Sequence, residues 1–243
     1  MLTRTSSFMS EGSWATEPWQ SIEKSQEQAL YDHGFILTAL FEDLDQLDVD
    51  NVDEDAAASD SRFLTRCDRL DAALQAFETN LTNTGSSLVL DTEGITVSET
   101  VLVFPDLQAA MLAMNVWCLQ LNLTKMIAHA GARILNDRMS STSTGTDSAS
   151  TAEAQNQIHR LLARHDDARM HRLATSTIDV IAYCFRQDMG LAAAQSLVMA
   201  MWSLVLHYQM QPESEYTRRC NEFYQKLVNE KGVKLATPLA ALE

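Results

Sequence analysis

The stretch Phe104–Asn136, FPDLQAAMLAMNVWCLQLNLTKMIAHAGARILN, decides the fold. Pro105 suits the first turn of a helix, where its missing N–H costs nothing, and Asp106 complements the positive end of the helix dipole. No Gly or Pro then interrupts the pattern until Gly131. At 1.5 Å per residue, about thirty helical residues run roughly 45 Å, longer than a small domain is wide. The polar positions form a thin stripe of Gln108, Asn115, Asn122, Lys125, His129 and Arg133. A helix apolar on most of its circumference is a core helix. The stripe, with Lys125 in mid-run, argues against a membrane span.

Outward from this helix the pattern is helical on both sides. Toward the N-terminus, Ser21 is a candidate cap, and Leu30, Gly34, Leu37, Phe41, Leu44 and Leu47 recur at steps of three and four. Phe63, Cys67, Leu70, Leu74, Phe77 and Leu81 make a second amphipathic helix over about 61–79. Between them, residues 45–60 hold seven acids and no base, which reads as a solvated linker. They lack the glycine and the terminal glutamate that a calcium loop needs. NTGSS reads as a turn before the β-prone LVL and TVLVF, which are two short extended pieces or a packed loop. Past the central helix, SSTSTGTDSAST predicts a mobile loop near 139–152. Helices are then expected from about Ala152, over Leu173–Asp188 with Gly190 as a left-handed cap, over Leu191–Gln209, and from Pro212 to about Gly232. Residues 1–20 read as a flexible arm able to dock through Trp14 and Trp19, and 237–243 as a tail. The expected fold is all-α: one irregular helical bundle over 21–236 around the long helix at about 105–136.

The bulk properties narrow the function. A chain of 243 residues with 46% hydrophobic content can bury one sizeable core. Its formal charge of −15 repels a phosphate backbone, and no basic patch offsets it: Arg160, Arg164, Arg169 and Arg172 are interleaved with Asp166 and Asp167. Direct nucleic-acid contact is therefore not expected, nor a membrane partner, since MLTRTSSFMSEGSW has no apolar run of signal length. The expectation is an intracellular soluble protein.

Motif chemistry is sparse. Cys67, Cys118, Cys184 and Cys220 are not paired as C-x-x-C and sit in apolar helical contexts, so buried reduced thiols are expected. Of six histidines, His159, His165 and His171 are six apart, about 240° around a helix, and share no face. No metal and no cofactor are expected. No Gly-rich phosphate loop and no G-x-S-x-G elbow are present. What remains is a set of polar groups on apolar helices: His129, His207, Asp179 and Arg186, the last two seven residues apart on one face. Asp179 has the alternative of pairing with an arginine from elsewhere. Converging with Trp117, Tyr183, Trp202 and Asn122, these groups would line an apolar small-molecule site.

Three segments, in order, carry a resemblance: Phe104–Ala110 leading to Val116-Trp117; Tyr183–Leu191 followed by Ala194-Gln195-Ser196; and Thr217–Asn221 running to Glu230–Ala236. Together they resemble the helical C-terminal regulatory region of fungal zinc-binuclear-cluster transcription factors, of the type found in secondary-metabolite gene clusters. The likeness extends over about Leu30 to Ala236. The family's six-cysteine DNA-reading element is missing, Ala192-Ala193-Ala194 stands where a glycine is common, and the usual Phe-Pro-Leu is replaced near Met199–Leu204. What the resemblance implies is a helical module that senses small molecules or partners and tunes transcription in the nucleus. Its partner would be a full-length cluster factor or a second copy. An alternative is a cytoplasmic, cofactor-independent enzyme on the same fold. It would bind an apolar polyketide or terpenoid intermediate and steer cyclisation, dehydration or isomerisation, with His129 or His207 as proton carrier and Asp179 or Arg186 as polar anchor.

Overall fold

The computed structural model describes residues 12–47, 56–83, 89–90, 102–141, 149–186, 191–208 and 215–231. The fold is all-α. Its helices are α1 (Gly12–Thr16), α2 (Gln26–Leu47), α3 (Ala56–Asn83), α4 (Leu107–Ser141), α5 (Ala149–Arg164), α6 (Asp167–Arg186), α7 (Leu191–Tyr208) and α8 (Glu215–Lys231). A 3-10 turn, Glu17–Trp19, follows α1, so part of the expected arm is ordered, and Lys24 sits 5.3 Å over the Trp19 ring. Two-residue strands, β1 (Val89–Leu90) and β2 (Leu102–Val103), pair antiparallel, with Val89 opposite Val103.

The long central helix is present as 35 residues of α4. Asp106 is its N-cap, its carboxylate accepting from the Ala109 N–H at 2.8 Å. The α2 start differs from the expectation at Ser21. The cap is Ser25, whose hydroxyl accepts from the Gln28 N–H at 3.2 Å while the Gln28 side chain accepts from the Ser25 N–H at 2.9 Å. This reciprocal box satisfies two otherwise orphaned backbone donors, which Ser21 has no partner to match. α3 starts earlier than expected because the alanines at 56–58 extend it into the acidic stretch. α6 starts earlier too, capped by Asp166, which accepts from the Arg169 N–H at 2.7 Å. α4 runs to Ser141 and α5 begins at Ala149, so helix replaces both ends of the expected loop; its middle, 142–148, lies outside the described residues. The Gly190 and Gly232 positions, the heart of the acidic linker and the C-terminal tail lie outside them as well.

Two compact units are formed, 1–75 with 122–170 and 76–121 with 171–243, and α3, α4 and α6 each contribute residues to both. In the first unit, Leu30, Leu37, Leu40 and Leu44 of α2 are buried, as are Phe63, Leu64, Cys67, Leu70 and Leu74 of α3 and Leu123, Met126, Ile127 and Ile134 of α4. In the second, Met114, Val116 and Leu121 of α4 are buried along with Ile178 and Ile181 of α6, Leu197, Met201 and Leu204 of α7, and Tyr224 and Leu227 of α8. All four cysteines are buried and none forms a disulfide, and burial pushes the Cys67, Cys118 and Cys220 thiols up to about 12. No described helix is long and apolar enough to cross a membrane.

Gly131 shows how closely α4 and α5 meet within the first unit. A Cβ there would lie 3.0 Å from a Leu162 methyl. Gly131→Val should lose about 1–3 kcal/mol of stability by overpacking. Urea denaturation checks this, and Leu162→Ala added to it should return part of the loss.

Candidate functional site

A buried polar cluster lies inside the first unit. Asp71 on α3 is fully buried, an acid placed four residues after the core Cys67. Its carboxylate accepts from Arg169 Nη2 at 2.7 Å, from Arg169 Nη1 at 3.4 Å and from Gln75 Nε2 at 2.7 Å. His165 Nε2 stands 3.3 Å from the same group, within ion-pair range but poorly aligned for a hydrogen bond. Its Nδ1 shares a 2.9 Å hydrogen bond with the buried Thr124 hydroxyl of α4, the donor set by the imidazole tautomer. His165 and Asp166 form the turn between α5 and α6, so the sequence expectation of His165 as one of three helical histidines is corrected here. Burial pushes the Asp71 carboxyl up, but its contacts with His165 and Arg169 outweigh this and hold it below its ordinary value.

The second unit holds another committed carboxylate. Glu78 accepts from the Trp117 indole Nε1 at 2.7 Å and from Gln120 Nε2 at 2.9 Å. Beside it, Leu81, Phe104, Ala109, Ala113, Val116 and Trp117 line a cleft of about 280 Å³, counting space open to solvent. Its enclosed part has room for about one water molecule. Phe104 also meets Tyr183 edge-on at 5.1 Å, and the Tyr183 hydroxyl donates to the Phe104 carbonyl at 3.2 Å.

Of the eight residues singled out by sequence, Trp117 and Tyr183 thus meet around Phe104. Trp202 is half-buried on α7 and does not line this cleft. Asn122 is half-buried on α4 and belongs to the first unit, as does the exposed His129. His207 is half-buried in the last turn of α7. Asp179 accepts from Arg219 of α8 at 3.2 Å, the arginine pairing that the sequence left open. Arg186 ends α6, and its side chain lies outside the described residues. No cluster of three or more metal-ligating side chains occurs among the described residues. One further group has chemical character: burial pushes the Lys125 amine down to about 7, and His129 follows one helical turn later on the same stripe of α4.

Sequence reasoning missed Asp71, Thr124 and Glu78. The available signal was an acid on an apolar stripe, four residues after Cys67 for Asp71 and four after Leu74 for Glu78.

No family model, no curated protein and no solved structure matches the chain.

Because the folded-state value of Asp71 is depressed, its contribution is present above the unfolded carboxylate value and is lost as pH falls through the folded one. Asp71→Asn should lose about 3–5 kcal/mol at pH 7, since Arg169 is left without its buried counter-charge. Denaturant titrations at pH 7 and pH 3 should show that gap narrowing in acid.

Proposed function

We propose that this chain is a regulatory helical module of a fungal secondary-metabolite pathway, acting through protein or small-molecule contacts and not by touching DNA. The observation that carries this reading is the fate of the polar groups. Asp71, His165 and Thr124 are engaged with one another, Asp179 with Arg219, and the Trp117 indole with Glu78. Groups committed in this way orient helices and fix a unique packing. The charge of −15 disfavours a phosphate backbone and suits protein contacts. The resemblance of the Phe104–Ala110, Tyr183–Leu191 and Thr217–Asn221 segments to cluster-factor regulatory regions supplies the pathway context. A full-length cluster factor, a second copy of the chain or an apolar small molecule is the partner, and the nucleus is the site of action.

A second reading, a cofactor-independent enzyme in the cytoplasm, draws support from one observation. Lys125, its amine lowered to about 7, lies one turn from His129, and a proton carrier works best when its value is near ambient pH.

Deletion of the gene in the fungus that encodes it, with neighbouring transcripts and extracted metabolites measured together, separates the two. The regulatory reading expects the transcripts to collapse along with the product. Unchanged transcripts with an accumulating intermediate would overturn it, and Lys125→Met would then be the first variant to assay on that intermediate.

A further inference from the structure

We infer that the seam between α3 and α5 is a docking surface for an acidic segment of a partner protein, held by Arg62, Arg69, Arg160 and Arg164. Two contacts set these helices side by side within the first unit. Gln157 Nε2 of α5 donates to Thr65 Oγ1 of α3 at 3.3 Å, and Arg164 of α5 pairs with Asp68 of α3. Residues three and four apart on a helix are neighbours on one face. Arg62 and Arg69 therefore flank Thr65 on α3, at i−3 and i+4. Arg160 stands at i+3 from Gln157 on α5, and Arg164 follows it at i+4. All four arginines are exposed. In sequence the row is hidden, because Thr65 and Gln157 are 92 positions apart.

The acids around the row are engaged elsewhere or with one of its members. Asp60 takes Arg133 of α4, Asp68 takes Arg164, Asp71 is buried on Arg169, and Asp166 caps α6. Arg62 and Arg160 engage only Nε, on carbonyls of their own helices, Ala58 at 3.3 Å and Asn156 at 3.2 Å. Among the described residues no carboxylate meets Arg62, Arg69 or Arg160. On a chain of formal charge −15, three exposed cations without a counter-ion invert the local sign of the surface.

Charge and length select the occupant. Guanidinium forks match carboxylates in bidentate geometry. Arg62 and Arg69 lie about 10 Å apart along the helix axis, a distance that about three residues of extended chain cover. A short run of acids therefore presents carboxylates along the whole row. A nucleic acid strand would run past the row onto the acidic remainder, whose repulsion reaches about 8 Å at cellular ionic strength. This surface rests on the regulatory reading for its setting and gives the partner in that reading a chemistry.

Fluorescence anisotropy of a labelled octaglutamate peptide, titrated with the full chain at low and at physiological salt, tests the inference. The expected result is saturable binding that weakens as salt rises. Arg62→Gln combined with Arg69→Gln should weaken it about fivefold to thirtyfold. Arg62→Lys combined with Arg69→Lys keeps the charge and should bind more tightly than the glutamine pair. Arg218→Gln, at an exposed α8 arginine already paired with Glu215 and Glu222, should leave binding unchanged. Circular dichroism confirms that each variant is folded. No saturable binding at low salt would overturn the inference, as would equal binding by the wild type and the glutamine pair. Tighter binding of a single-stranded oligonucleotide of the same charge would overturn it too. Transcripts after gene deletion report on the regulatory reading separately, so the two failures are distinguishable.

Discussion

A buried carboxylate constrains the packing of the first unit. Removing an ion from water costs several kcal/mol even after relaxation, and that cost is recovered only with well-placed partners. Asp71 has Arg169 on two nitrogens, Gln75 on its own helix, and His165 at 3.3 Å. His165 in turn holds Thr124 of α4. The charge on α3 is thus tolerated only when the α5–α6 turn and the Thr124 segment of α4 take up particular positions. Apolar burial drives the unit together without choosing among similar packings, whereas the Asp71 cluster is satisfied in few of them. The Asp166 cap on α6 acts at the same turn, placing Arg169 in the first helical turn.

The legible part of this fold is the part written in local periodicity. The near-continuous apolar run from Leu107 announces α4, and its stripe of Gln108, Asn115, Asn122, Lys125, His129 and Arg133 is half-buried or exposed. The stripe on α3 is equally plain. Helix starts were harder to read, because a cap depends on a reciprocal partner. Ser21 and Ser25 are alike as residue types, and only Ser25 has a glutamine three residues on. The polar site was harder still. Asp71 meets Arg169 across 98 positions of sequence, and Trp117 meets Glu78 across 39. Local spacing marks an acid on an apolar face as unusual but does not name its partner.

The same constraint shapes the functional account. Residues that look chemically promising in isolation, such as Asp179 and Trp117, have structural partners of ordinary hydrogen-bonding geometry. Tyr183 packs edge-on against Phe104, and Trp117 lines the same cleft as Phe104. Lys125, its amine pushed down to about 7 by burial, lies on the same stripe of α4 as His129.

The central claim is that the buried polar groups hold the architecture together. A double-mutant cycle on Asp71→Asn and Arg169→Gln, read by urea denaturation at pH 7, tests it most directly. The account predicts a coupling energy of about 1–3 kcal/mol between the two sites, as expected for groups sharing one buried network. Additive effects, within about 0.3–0.5 kcal/mol, would contradict it and return Asp71 and His165 to the pool of residues available for chemistry.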